Sequence, residues 1–162
     1  MNRLDLERLA TFSDSVRDST LKRLRRVPIG RENDTVLEGM MSPADIAAHL
    51  IGSDEGIFRA SRDKVLVGKG LGAAGQRVVA DRQEYVALIE TLVRLRETRR
   101  EFILAQDDHT LAELIPFDTL SGKGERDLAS MIYLFLDHEI HHRGQLVVIL
   151  RHLCEIADKE SV

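Results

Sequence analysis

Three of the six histidines fall within five consecutive residues, His138-Glu139-Ile140-His141-His142. On an α-helix, at about 100° per residue, His142 lies about 40° from His138 and one turn further on, while His141 is displaced by about 60° the other way. His138 and His142 continue the apolar stripe of Leu128, Ile132, Phe135, Leu146 and Ile149. Two imidazoles one turn apart on a core-facing stripe are costly to bury unless their nitrogens find partners, and a divalent metal satisfies two lone pairs at once. His49 holds the equivalent inward position between Ile46 and Leu50, which makes it the natural third ligand. Three neutral imidazoles leave a fourth coordination position for water or substrate, the pattern of a catalytic rather than a structural zinc site. The competing reading is that these are ordinary core or surface histidines tied to carbonyls or carboxylates. His109 and His152 look incidental.

Two other metal chemistries use parts of the same segment. His138-Glu139-x-x-His142 fits the H-E-x-x-H pattern of zinc peptidases, in which the glutamate is the general base. Such an enzyme would be expected to offer a sheet edge for the peptide and a downstream third ligand, and only some twenty residues follow His142. Glu139-x-x-His142 is also half of a ferritin-like di-iron site, but that design needs a second Glu-x-x-His, which the sequence lacks.

The elements that must carry these residues read as helices. Tryptophan is absent, aromatic residues are few, there are three prolines, and no segment alternates cleanly with period two. A first helix is expected from about Leu4 to Val27, with Leu9, Phe12, Val16, Leu24 and Val27 on one stripe, ended by Pro28 and Gly30. Ser42-Pro43-Ala44-Asp45 combines a capping hydroxyl, a proline at the first helical position and an acid three residues after the cap. The second helix runs from there to about Leu66, burying Ile46, His49, Leu50 and Ile57. Gly68, Gly70, Gly72 and Gly75 mark a connection long enough to cross a bundle. The third helix, about Asp81 to Gln106, spaces Tyr85, Leu88, Leu92, Leu95 and Phe102 as a packing seam. Asp107 to Arg126 reads as a loop with a short helical turn at Leu111 to Ile115, and the last helix covers about Asp127 to Leu153. The expected fold is all-α, a four-helix bundle with sites built between facing helices.

At 162 residues the chain fits one domain, 1–162, able to bury roughly 70% of its unfolded surface. The single Cys154 cannot form an internal disulfide, and there is no leader-like or membrane-length apolar run, so the chain reads as soluble and cytoplasmic. A net charge of -4 argues against a nucleic-acid partner. Lys22, Arg23, Arg25 and Arg26 suit a helix C-terminus. Arg94, Arg96, Arg99 and Arg100, interleaved with Glu97 and Glu101, read as a solvated face.

The run Asp137 to Leu146, with its histidine, three residues, histidine and Arg-Gly-Gln order, together with Ile46-Ala47-Ala48-His49-Leu50, resembles the DinB-like (DinB/YfiT) superfamily of bacterial metalloproteins across nearly the full chain. The resemblance implies up-down-down-up connectivity with a long crossover after helix two, and often a homodimer. It assigns one divalent metal, zinc or nickel, to His49, His138 and His142. Several relatives are transferases or isomerases that use a low-molecular-weight thiol, so it implies a thiol-dependent reaction on a small electrophile. The alternative is a non-catalytic, stress-associated metal-binding dimer. Glu139 and Asp45 are candidates to orient imidazole N–H groups from behind the metal, with capping an equal reading for Asp45. Arg143 and Gly144 are assigned no firm role.

Overall fold

In the computed structural model, residues 3–68, 77–119 and 122–160 are described, the last five as backbone only. Five helices and three strands follow in chain order: α1 (Arg3–Leu24), α2 (Pro43–Asp63), β1 (Leu66–Gly68), α3 (Arg82–Leu104), α4 (Asp108–Leu111), β2 (Leu114–Thr119), β3 (Gly122–Asp127) and α5 (Leu128–Glu160).

Local chemistry sets most of these boundaries. The Ser42 hydroxyl accepts from the Asp45 N–H at 3.1 Å, the Asp45 carboxylate accepts from the Ser42 N–H at 3.0 Å, and Pro43 occupies the first turn of α2. The Asp81 carboxylate accepts from the Glu84 N–H at the start of α3 (2.9 Å). At the start of α5, Asp127 accepts from both the N–H and the hydroxyl of Ser130, each at 2.8 Å. Helix α1 ends at Leu24, three residues before Val27, and the chain turns through Gly30 at φ +84°, a conformation glycine adopts without strain.

Each long helix packs on two others, α1 and α2 both against α3 and α5. The apolar core is in two parts. One gathers Leu21 and Leu24, Ile46 and Leu50, Tyr85, Ile89 and Leu92, and Leu146, Ile149 and Leu153. The other gathers Leu6 and Leu9, Ile57 and Ala60, Ile103, and Leu128, Met131, Ile132 and Leu136. Between them, each long helix contributes one buried charged residue to a common ionic cluster: Arg17, Asp54, Arg99 and Glu139.

The all-α expectation needs correction. The segment read as a loop is a hairpin: β2 pairs antiparallel with β3, Ile115 opposite Arg126 and Phe117 opposite Gly124. The first strand, β1, pairs parallel with β2, Leu66 opposite Phe117. It takes residues assigned to the end of the second helix, because Lys64 turns into the left-handed region (φ 58°) and stops α2 at Asp63. The short helical turn lies at Asp108–Leu111, earlier than expected, where Asp107 and Thr110 cap one another. Strand β3, Gly-Lys-Gly-Glu-Arg-Asp, has no apolar residue and is ordered by its ladder to β2, so hydrophobic periodicity had nothing to detect. The last helix runs on past Leu153 to Glu160. Phe12, expected on the inner stripe of α1, is 49% exposed. Gly70, Gly72 and Gly75, and the crossover expected there, lie outside the described residues.

Candidate metal centre

Helix α2 presents His49 and α5 presents His138 and His142 to a common point. The Nε2 atoms of His49 and His138 are 2.5 Å apart and those of His138 and His142 are 2.8 Å apart. One ligand atom from each of the three lies within 4.8 Å of the others. The rings gather at centroid separations of 4.6 to 4.7 Å, with His49 stacked on His138. His142 is buried and the other two are half-buried.

Protonation follows from the neighbours. The amide oxygen of Gln145 accepts from His142 Nδ1 at 2.8 Å, so Nδ1 carries the hydrogen and Nε2 keeps its lone pair toward the cluster. The Gln145 amide NH2 in turn donates to His141 Nε2 at 3.1 Å, which gives the off-stripe histidine a supporting place. Burial, followed by the adjacent His138 ring, pushes the His49 imidazole down to about 4. Burial also brings His142 to about 4, against the Gln145 hydrogen bond and with help from the surrounding histidines. His138 is lowered by burial first and then by His141. At neutral pH all three are uncharged, the state in which imidazole ligates metals.

These residues fit a divalent ion. Three neutral imidazole nitrogens crowded at 2.5 and 2.8 Å cannot all be paired through one another's N–H groups, and a cation would satisfy the lone pairs left over. Ligand nitrogens about 2.0–2.1 Å from a tetrahedral zinc stand about 3.3 Å apart, so the His49–His138 and His138–His142 pairs would each have to open by less than about 1 Å to admit an ion. The Nδ1 of His49 is buried and has no hydrogen-bond partner among the described residues.

The carboxylates expected to orient the imidazoles are committed elsewhere. Asp45 caps α2 and accepts from the Arg77 N–H at 2.8 Å. Glu139, 1% exposed, accepts from Arg17 Nε (2.8 Å) and Nη2 (3.0 Å) and from Arg99 Nη1 (2.7 Å). Burial opposes its ionisation, but Arg17 and Arg99 outweigh that and hold the carboxyl at about 2. A carboxylate buried between two guanidinium groups, both oxygens taken by them, is badly placed to act as a general base, which counts against the peptidase reading. The sheet expected to be missing is present, as the small one formed by β1, β2 and β3.

Asp54 completes a buried quartet. It accepts from Arg17 Nη2 at 2.9 Å and from Arg99 Nε at 3.0 Å and Nη2. Arg17 also donates to the carbonyl of Leu92 at 3.2 Å. Arg99 therefore does not belong to a solvated face, while Arg96 and Arg100 pair with Asp18 and Asp14 of α1. The quartet escaped the sequence reading although a signal existed: Arg17, Asp54, Arg99 and Glu139 each fall on the inner stripe of their helix, and their charges sum to zero.

A cavity of about 300 Å³ opens beside His49 and His138. Its walls come from α2 (Gly52, Ser53, Gly56), α5 (Met131, Leu134, Phe135) and one face of the sheet (Leu66, Phe117, Thr119, Arg126). Small residues on α2 leave the space, and the hairpin covers it.

Four long helices, a small sheet and three imidazoles gathered beside a half-open cavity define a helical protein whose centre could take a metal. The sequence model of the DinB superfamily matches residues 6–146, and the chain belongs to that superfamily. A DinB-like protein, YjoA, from Bacillus subtilis, solved by crystallography at 2.30 Å, is similar with a TM-score of 0.67 at 18% identity, over 90% of this chain and 91% of that one. That likeness concerns the fold. No curated protein matches the chain. Among the described residues no helix is long and apolar enough to cross a membrane.

Proposed function

We propose that this DinB-superfamily protein binds one divalent metal, zinc or nickel, through His49, His138 and His142, and uses a low-molecular-weight thiol in an S-transfer or isomerisation reaction on a small electrophile. The observation that carries the reading is the convergence of three neutral Nε2 atoms beside a cavity of ligand size. A metal so bound would supply a Lewis-acidic open position that lowers the pKa of a bound thiol. The chain's own part is binding and orientation. Gln145 fixes the His142 tautomer, the apolar walls exclude water, and the low basicity of the histidines keeps protons from competing for the site.

The same reading takes residues 1–162 as one domain that acts as an intracellular homodimer. It takes the four long helices as an up-down-down-up bundle. Support for that connectivity lies in the order of contacts. Early α1 residues share a core cluster with early α5 residues, and late with late. Early α2 shares one with early α3, and both helices meet α5 in reverse order.

Metal content by plasma mass spectrometry tests the site. The wild type should hold one equivalent, and His49→Ala, His138→Ala and His142→Ala should each lose most of it; stoichiometric metal surviving all three would end the assignment. A thiol titration of the cobalt-substituted protein tests the chemistry, with perturbed visible bands expected. Unchanged bands together with a large fall in Tm on chelation would mark the ion as a core fastener in a non-catalytic protein.

A further inference from the structure

Among the described residues the cavity wall holds one charged side chain, and nothing in the three-histidine reading uses it. Arg126 sits on β3, with its guanidinium 5.7 Å from the centroid of the Phe117 ring. Among the described residues no carboxylate lies within ion-pairing distance of Arg126, although Arg17, Arg82, Arg96, Arg99 and Arg100 are all paired. Its neighbour Asp127 directs its hydrogen bonds to Ser130 at the start of α5, and these, with a smaller contribution from the Arg126 charge, hold its carboxyl below the usual range. The sheet fixes where the arginine points. Side chains alternate along a strand, so the cross-strand pairs Leu66–Phe117 and Phe117–Gly124, with Arg126 two residues on, share one face. That face closes the cavity. Gly124 leaves room for the Phe117 ring, whose Cζ would lie 3.1 Å from any Cβ there.

No acidic residue lines the cavity among the described residues, and its walls are mainly Leu66, Phe117, Met131, Leu134 and Phe135. A half-buried guanidinium with no ion pair among the described residues, at the wall of a mainly apolar cavity, suits a planar anion, which it can grip with two parallel hydrogen bonds. A sphere of the cavity's volume is about 8 Å across, the size of a small organic molecule.

We propose that Arg126 anchors the carboxylate of a small organic acid whose apolar body fills this cavity, with the acid's far end directed to the three histidines. The inference rests on the proposed function only for the identity of the reacting centre. Arg126 is then a specificity residue, set on a different element from the metal ligands.

The test compares 4-phenylbutyrate with its uncharged amide by calorimetry on the full-length protein, zinc-loaded and metal-stripped. The acid should bind at least ten-fold more tightly than the amide in both forms. Arg126→Gln should abolish the preference and Arg126→Lys should retain part of it, with circular dichroism of each variant unchanged. His49→Ala should keep it, so loss of the metal reading leaves this result intact. Equal binding of acid and amide, no binding of either at millimolar concentration, or a preference that follows His49 rather than Arg126 would overturn the proposal. So would an Arg126-dependent preference confined to glutathione, which would assign the guanidinium to the thiol and not to an apolar acid.

Discussion

Arg17→Met tests whether the buried quartet holds the fold together. Arg17 is fully buried, and methionine replaces its aliphatic stem with similar bulk and no charge. The loss leaves Glu139 Oε1 and Asp54 Oδ2, whose hydrogen bonds come from Arg17, buried and orphaned, with Arg99 facing two carboxylates alone. Hydrogen bonds to charged groups contribute about 1.5–3 kcal/mol each. Two orphaned oxygens therefore predict a cost of about 3–6 kcal/mol, which overlaps the usual penalty of about 3–5 kcal/mol for breaking a buried ion pair from one side. For a domain of this length that is a Tm drop of roughly 10 °C. Urea unfolding followed by far-UV circular dichroism reads it directly. The second arm is the Arg17→Met/Glu139→Leu double variant, which removes a charge of each sign and should cost clearly less than the sum of the singles, with a coupling of at least about 2 kcal/mol. An Arg17→Met cost under about 1 kcal/mol, or strict additivity in the double variant, would refute the reasoning.

Acid titration probes the same quartet. The carboxyl of Glu139 is held at about 2 against an ordinary 4.5, so its stabilisation is fully present above pH 4.5 and lost as pH falls towards 2. The stability gap between wild type and Glu139→Gln should therefore narrow by about 2 kcal/mol from pH 6 to pH 3 in urea titrations, and a constant gap would contradict the pairing. Gln145→Leu removes the partner of His142 Nδ1 and should weaken zinc binding by about 10- to 100-fold in a chelator competition, with little change in the apo protein's urea midpoint. Unaltered affinity would show that the tautomer is set without it. Gly124→Ala places a Cβ about 3.1 Å from the Phe117 ring and should destabilise the hairpin by about 1 kcal/mol, seen as faster amide exchange over residues 114–119 and 122–127. Exchange unchanged there would mean that the ring yields freely.

The parts of this protein that sequence exposes are those governed by short-range rules. The Ser42-Pro43-x-Asp45 cap follows from adjacent residues, and the pairing of His138 with His142 follows from a single helical turn. The convergence of His49 on them spans 89 residues, yet it was still legible because the inward stripe of α2 contains one imidazole. The quartet was less so. Stripe spacing marks Arg17, Asp54, Arg99 and Glu139 as inward, but their partners lie 37 to 122 residues away, and a run of arginines interleaved with glutamates has the composition of a solvated helix face. The hairpin was least legible. Pro116 interrupts β2 and β3 carries no hydrophobic signal, so both depend on each other's backbone and on packing against α5. The cavity and the placement of Arg126 on its wall exist only once the sheet is formed, so both were hidden with it.

The quartet bears on the histidines through geometry. Apolar stripes specify which faces of two helices meet, but they tolerate a shift of one turn, about 5.4 Å, because leucine against leucine is much the same contact either way. Three imidazole nitrogens that are to share one ion would not tolerate it, since a shift of about 5.4 Å exceeds the whole separation of ligand atoms around a metal. Asp54 lies five residues after His49 on α2, and Glu139 directly follows His138 on α5; Arg17 and Arg99 each bridge these two carboxylates from opposite helices. A one-turn slip of α2 against α5 would leave buried carboxylates and guanidinium groups unpaired, at several kcal/mol each, while the apolar contacts simply exchanged partners. Polar registration of this kind is why the middle of the core is ionic although both ends are apolar. It also explains why the four charges come from four helices: two cross-links through α1 and α3 hold the α2–α5 register from both sides, and the three imidazoles inherit it.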